Sequence, residues 1–155
     1  MTATETIAQI EEQERTLLFT RFDNDDAWRL GSLIVGWAQE RALGVTVDIR
    51  RGTQQLFHAA LPGATADNDD WVQRKARVVQ RFGSSSYLVG LRSQAKGLDF
   101  SEHRADLPID TYAAHGGSFP INVVGVGVVG AITVSGLPQA EDHALVVEAI
   151  TQFLG

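Results

Sequence analysis

The sequence contains no cysteine. This absence excludes disulfide bonds, thiolate metal sites and a cysteine nucleophile, and it leaves the redox compartment open. Two further motifs are also missing. The chain has no phosphate-binding G-x-x-x-x-G-K-[ST] loop and no G-x-S-x-G elbow, which would present a nucleophilic serine.

Positive charge is scarce, with 13 basic residues against 19 acidic ones and a formal net charge of -6. This balance gives no general attraction to nucleic acid or to anionic membranes. No apolar run approaches the roughly 18 residues that a membrane span needs. The segment 1–14 carries four glutamates, whereas a secretory signal has a basic start and an apolar centre. We therefore expect a cytoplasmic protein that binds neither nucleic acid nor membrane.

The length of 155 residues and the 44% hydrophobic content predict one folded domain that spans residues 1–155. Apolar residues at helical spacing, together with capping residues, predict five helices. Asn24 is the expected cap of the second helix, Gly44 and Gly83 are the expected ends of the second and third, and Pro138 is expected in the first turn of the last. The expected helix starts are Thr6, Asn24, Asp67, the Ser84–Ser86 run and Pro138.

Strand-like segments lie between these helices, at 45–49, 56–60, 110–114, 118–124 and 126–135. The first two read as a hairpin, and the last two are joined at Gly125. Such short links favour antiparallel pairing, because parallel neighbours need long crossovers. The sequence therefore predicts an α+β domain with one antiparallel sheet and helices packed against it.

One motif imitates a dinucleotide site, since residues 125–130 match G-x-G-x-x-G. The true fingerprint needs a helix that opens inside the motif. Here the chain continues as the strand-like Ala131-Ile132-Thr133-Val134, so the glycines indicate a tight turn and close backbone packing.

The richest polar stretch surrounds His115, Gly116, Gly117 and Ser118. Paired glycines let backbone N–H groups form an anion-binding nest, and His115 adds a titratable ring. The competing interpretation is an ordinary turn before a strand, in which His115 is merely hydrogen-bonded.

A second candidate stretch is the predicted junction of a strand and the last helix, with Ser135, Gly136, Asp142 and His143. The free N–H groups of a helix start suit a carboxylate or phosphate. Asp142 and His143 could serve acid–base chemistry, although adjacent helical residues do not face each other.

Two cations on the predicted third helix complete the candidate set. Arg74 and Lys75 could hold an anionic ligand, and their separation of about 100° around the helix allows one to point inward while the other stays solvated. The spacing of the four histidines matches no helical H-x-x-x-H pair, so no metal site is predicted.

Taken together, these segments resemble an uncharacterised protein family grouped with the haem-degrading domain superfamily, whose distant relatives include extracellular haem-binding sensors and GlcG-like proteins. The pattern covers nearly the whole chain. The segments that carry the resemblance are 22–31, 56–58, 67–75, 85–87, 112–121, 127–130, 133–139 and Asp142-His143.

The resemblance implies a profilin-like or PAS-like sandwich around a five-stranded antiparallel sheet, and a homo-oligomer built from dimers. It also makes haem a candidate cofactor. Haem here would need His or Tyr as its axial ligand, because cysteine is absent and Met1 is the only methionine.

Three functions remain open from the sequence. The first is a module that binds a small, anionic molecule or haem through Arg74, Lys75 and the two glycine-bearing stretches. The second is an enzyme that degrades haem or acts on a small acid, with His115 or His143 as acid/base. The third is an oligomeric scaffold for a protein partner, which a large apolar surface patch would indicate.

Overall fold

The computed structural model describes residues 1–155 as an α+β domain. Six helices and four strands follow one another as α1 (Ala3–Thr16), α2 (Asn24–Glu40), β1 (Thr46–Arg51), β2 (Gln54–Ala60), α3 (Ala66–Phe82), α4 (Ser86–Ala95), α5 (Phe100–His103), β3 (Ser118–Val123), β4 (Gly127–Ser135) and α6 (Gln139–Leu154). None of the six helices combines the length and apolar character that crossing a membrane requires.

The sheet is antiparallel throughout, with the strand order β2-β1-β4-β3. The expected hairpin of β1 and β2 and the expected pair of β3 and β4 are both present, and β1 and β4 join the two hairpins at the centre. A single continuous sheet therefore forms from two local hairpins.

The expectation of five strands is wrong, because the sheet has four. The segment 110–114 does not join it. Thr111 and Tyr112 donate their amides to Pro108 O in a turn, and Ala113 donates to Arg74 O on α3 at 3.1 Å. Backbone groups that bond to a turn and to a helix are not free to pair with a strand.

Helices cover both faces of the sheet. On one face α2 and α6 enclose the main apolar core, which alternate sheet residues such as Val47, Ile49, Ile132 and Val134 reach from below. On the other face α3 packs Ala76 and Val79 against Ala131. This second face is unusually polar, since the fully buried Thr46, Asp48, Ser118 and Thr133 lie on it.

The helix ends differ from the expected ones by a few residues. Asp23, not Asn24, caps α2 through a reciprocal bond pair with Asp26. Ala42 adopts a positive φ of 54°, and the helix ends at Glu40, before Gly44. Pro138 is the N-cap of α6 and so precedes the first turn. Gly83 ends α3 in the left-handed conformation, as its position predicts.

Gly31 and Gly36 on α2 give a matched test of the packing between α2 and the sheet. A Cβ on Gly31 would lie 2.5 Å from the Phe57 ring, whereas a Cβ on Gly36 would meet nothing within 4 Å. Gly31→Ala should therefore lower the free energy of unfolding by about 1–3 kcal/mol through overpacking. Gly36→Ala should raise it by up to about 1 kcal/mol through helix propensity. Urea titration checks both, and equal effects of the two changes would contradict this packing.

Candidate functional site

A cavity of about 310 Å³ opens between the start of α3, the end of β4, the start of α6 and the loop that precedes β3. We call it the site cavity. Most of its lining is polar, and Trp71 and Leu137 are its apolar members. The lining residues are Asp67, Asn68, Trp71, Lys75, His115, Gly116, Ser135, Gly136, Leu137, Gln139 and Asp142.

The structure brings the two glycine-bearing stretches together at this cavity. Gly116 donates its amide to Gln139 Oε1 at 2.9 Å, and Val134 donates its amide to Gly117 O at 2.9 Å. His115, Gly116, Ser135 and Gly136 consequently share one cavity, although about twenty residues of chain separate the two stretches.

Lys75 forms the floor of the cavity and is almost completely buried. Its Nζ lies 2.6 Å from Val134 O, 3.0 Å from Gly116 O and 3.3 Å from Asp142 Oδ2. Burial lowers the pKa of the Lys75 ammonium, and the charge of Asp142 opposes that change. An ammonium group has three protons to donate, so Lys75 has none left for a ligand.

The Asp142 carboxylate lies at the start of α6, where the sequence predicts an anionic ligand. Its Oδ1 accepts the Leu137 amide at 2.9 Å, at the junction of β4 and α6. Burial raises the pKa of the Asp142 carboxyl, and Lys75 is the main influence in the opposite direction. The amides at the strand-to-helix junction therefore already serve a carboxylate of the chain itself.

Gly117 is required for backbone geometry and packing. Its φ of 136° lies in the region that favours glycine, and a Cβ there would collide with Lys75 Nζ and Val134 O. This glycine lets the loop close over the buried ammonium group. It does not line the cavity.

Ser118 and Arg74 also lie outside the cavity lining. Ser118 is fully buried, and its Oγ lies 2.9 Å from Thr133 Oγ1 within the sheet. Arg74 contacts Asp70 at 2.9 Å, donates to Ile109 O at 3.1 Å and stacks on the Trp71 ring at 3.9 Å. Both side chains hold the structure around the cavity.

His143 is buried on α6, beyond the cavity wall. Its Nε2 lies 2.8 Å from Gln13 Oε1, and its ring packs against the rings of Tyr87 and Phe119. Burial lowers its pKa to about 4. The ring is therefore neutral near pH 7, and it does not line the cavity.

His115 stands at the rim of the cavity with its ring edge against Trp71, at 5.3 Å between centroids. Its pKa is lowered by burial and by the charge of Lys75, so that the ring is neutral near pH 7. Hydrogen bonds of the chain engage His58 and His143, whereas none engages a ring nitrogen of His115. Of the two acid/base candidates, only His115 can touch a bound molecule.

Sequence reasoning missed part of the lining at the first turn of α3. Asn68 accepts the Thr65 amide and donates to Ser135 Oγ at 3.3 Å, which ties α3 to the end of β4. Asp67, Asn68 and Trp71 all belong to the polar run 67–75, of which only the two cations, Arg74 and Lys75, are candidates by residue type alone. Gln139 was missed because its role, a bond to the Gly116 amide, is visible only in three dimensions.

Comparison with known proteins places this architecture in a family. The model of the family described as "Haem degrading protein HbpS-like" matches residues 22–151. A UPF0303 protein of Streptomyces coelicolor is 65% identical over 150 residues, which cover 97% of this chain and 94% of the relative.

Two solved structures extend the comparison. The Ybr137w protein superposes with a TM-score of 0.86 at 30% identity, over 95% of this chain and 87% of that one. A complex of PduOC with haem superposes with a TM-score of 0.71, over 84% and 93% of the two chains. At 18% identity, this second likeness shows a shared fold.

Because Lys75 and Asp142 form a buried ion pair, we expect the effects of substituting them on the free energy of unfolding to be strongly coupled. Lys75→Met leaves the buried Asp142 carboxylate without its cation and removes the hydrogen bonds that Lys75 donates to two carbonyl groups, so it should cost about 3–5 kcal/mol. Adding Asp142→Asn should recover part of this loss, because it removes the stranded charge. Urea titration of the wild type, both single variants and the double variant measures the coupling. Additive losses would contradict it.

His143 predicts a loss of stability in acid. Its pKa is 6.5 in the unfolded chain and about 4 in the fold, so the unfolded state binds the proton more tightly. Stability should therefore fall as the pH drops from 6.5 to 4, by about 3 kcal/mol from this group. His143→Gln should flatten that slope, and His103→Gln on the surface should not. Equal slopes for wild type and His143→Gln would contradict the assignment.

Proposed function

Because this chain belongs to the HbpS-like family of haem-degrading proteins, we propose that it binds a small molecule in the site cavity, with haem as a candidate ligand. The observation that carries the proposal is His115. It presents a neutral ring without a hydrogen-bond partner at the rim of a cavity of about 310 Å³. Cavities of about 300–1,000 Å³ are typical of small-molecule sites.

The residues at the rim fit the needs of haem in one respect. Haem iron takes a neutral imidazole as an axial ligand, and His115 is the residue here that would hold it. Bound iron would supply redox chemistry. The apolar lining that a macrocycle needs is limited in this cavity to Trp71 and Leu137.

The polar walls define what else the chain contributes to binding. The protons of Lys75 and the amides of Gly116 and Leu137 are used internally. An anionic ligand, as expected from the sequence, would therefore depend on neutral donors such as the Asn68 and Gln139 side-chain amides. The ion pair of Lys75 and Asp142 keeps the floor of the cavity in place.

A second candidate function is catalysis with His115 as general base, and the position of its ring at the cavity rim, without a hydrogen-bond partner in the chain, favours it. A base that is neutral near pH 7 can accept a proton from a substrate at the rim. Time-dependent loss of the haem absorption with a reductant, abolished in His115→Ala, would support turnover; a stable haem spectrum would leave binding alone.

We also propose that the protein forms a homo-oligomer, on the basis of the family resemblance. The cytoplasmic location stays a prediction. Trp28 is 66% exposed beside Phe57, and Val126 at the tip of the β3–β4 hairpin is 71% exposed. Large exposed apolar side chains of this kind are candidates for contacts with a second copy or with a protein partner.

Haem titration tests the proposed function. We expect the wild type to bind haem with a shift of its absorption maximum, and His115→Ala to weaken binding at least about tenfold, which is about 1.4 kcal/mol. His103→Ala is the matched control, because His103 is an exposed histidine that does not line the site cavity. Absence of binding by the wild type, or equal losses for the two variants, would contradict this assignment.

Sedimentation at micromolar concentration tests the oligomer. We expect a mass of at least two chains, and we expect Trp28→Ser to shift the distribution toward smaller species if this face forms a contact. A wild-type monomer would contradict the proposed assembly.

A further inference from the structure

A cleft of about 180 Å³ lies between the end of α3, the second half of α4 and the short helix α5. We call it the α4–α5 cleft. Phe82, Val89 and Phe100 form its apolar walls. The cleft shares no lining residue with the site cavity, so its role is independent of the proposed function.

Basic side chains surround the α4–α5 cleft. Arg92, Lys96 and Arg104 line it, and no acidic residue does, in contrast to the net charge of -6 of the whole chain. Two acids pair with the arginines: Glu11 lies 2.8 Å from Arg92, and Asp106 lies 2.9 Å from Arg104. No ion pair or hydrogen bond of the chain engages the exposed ammonium group of Lys96. The cleft therefore keeps positive charge that the chain does not neutralise.

Many donors of the cleft are unused within the chain. Arg104 uses Nε and Nη2 for its ion pair, and Arg92 uses Nη2 for its own, so each guanidinium group keeps further N–H groups. All three protons of Lys96 lack an acceptor. In the site cavity the reverse holds, since Lys75 donates to three acceptors of the chain. An anion finds its donors in this cleft and not at Lys75.

The buried hydroxyl group of Ser93 is a second, independent observation. Ser93 lines the cleft and is only 6% exposed, and its Oγ has no hydrogen-bond partner in the chain. Buried polar groups are nearly always paired, because an unpaired one loses its bonds to water without replacement. A partner from outside the chain would complete this hydroxyl group.

The position of the cleft at the end of α4 favours cations, because the C-terminus of a helix carries partial negative charge. Ser93 O accepts the amides of Lys96 and Leu98, each at 3.1 Å, and Gln94 O accepts the Gly97 amide at 2.8 Å. These carbonyl groups are therefore paired and do not face a ligand bare. Attraction to the helix end is the ordinary reason for a lysine at position 96, but it does not account for the unpartnered Ser93.

The size and the walls of the cleft define the kind of ligand. Small-molecule sites usually span about 300–1,000 Å³, so a cleft of about 180 Å³ takes a molecule of few atoms. The rings of Phe82 and Phe100 pack edge to face with centroids 5.9 Å apart, and they offer apolar surface to a single ring. The cations are placed to receive a charged group attached to that ring.

We propose that the α4–α5 cleft is a second binding site, which takes a single-ring molecule that carries a phosphate or carboxylate group. The ring packs on Phe82 and Phe100. The oxyanion accepts hydrogen bonds from Lys96 and Arg92, and Ser93 donates its hydroxyl proton to it. Phosphate and carboxylate share this chemistry, because ammonium and guanidinium groups bind both.

Calorimetric titration of the full chain tests the site with four probes. Phenyl phosphate and benzoate carry the two oxyanions on the same ring, inorganic phosphate lacks the ring, and benzyl alcohol lacks the charge. We expect at least one aromatic anion to bind at least about tenfold more tightly than inorganic phosphate and benzyl alcohol, and to weaken as salt rises. The tighter of the two aromatic anions identifies the oxyanion. If neither binds, the proposal is wrong.

Lys96→Gln should weaken the aromatic anion about fivefold, because it removes a charge-assisted hydrogen bond. The matched control is Arg51→Gln, which removes one positive charge at the end of β1. Arg51 has no ion pair or side-chain hydrogen bond within the chain and lines neither the cleft nor the site cavity. Equal losses for the two variants would mean a general attraction between charges and would overturn the site.

Ser93→Ala tests the buried hydroxyl group without a change of charge. The Ser93 Oγ makes no hydrogen bond in the chain, so the urea midpoint of the unliganded variant should equal or exceed that of the wild type. The affinity for the aromatic anion should fall about fivefold through the lost hydrogen bond. An affinity equal to that of the wild type would contradict the proposed role of Ser93 and with it the site as described.

Discussion

The buried ammonium group of Lys75 is the constraint on which the region around the site cavity depends. One atom of α3 joins the carbonyl of Gly116 in the loop, the carbonyl of Val134 in β4 and the carboxylate of Asp142 in α6. Four segments from distant parts of the sequence meet at this point. Removing a charged group from water is costly, and the cost is offset only when all of its donors are used, as they are here.

This arrangement explains why the cavity is polar and yet has no charged group free to bind an anion. Asp142 neutralises Lys75 and occupies the amide of Leu137 at the strand-to-helix junction. The polar face of the sheet adds hydroxyl groups, such as Ser118 and Thr133, that bond to each other. What remains open toward the cavity is the Asp67 carboxylate and a set of neutral groups around one histidine, a surface that does not favour an anionic ligand.

The sequence was sufficient to predict most of the local elements, although it predicted five helices and the short helix α5 is a sixth. It was weaker wherever distant segments decide the outcome. Hairpin turns and helix caps are local, so the β1–β2 pair and the end of α3 at Gly83 follow from composition and spacing. The convergence of Gly116 and Ser135 followed because both flank ends of the same sheet. The segment 110–114 has strand-like residues, but its backbone bonds to α3 and to a turn, which only the tertiary structure reveals. The full use of the Lys75 protons was equally invisible, because two of the three acceptors are backbone carbonyls.

The two border strands of the sheet, β3 and β2, differ in how far their outer edges are covered. Phe19 forms a parallel bridge with Val123, where its amide bonds to Asn122 O and its carbonyl accepts the Val124 amide. The linker between α1 and α2 thus covers the end of β3, one of the two border strands. An incoming strand would have to displace Phe19 from that border, whereas β2 keeps its outer row of backbone groups unpaired. Any growth of the sheet across a boundary between molecules is therefore directed to the β2 side.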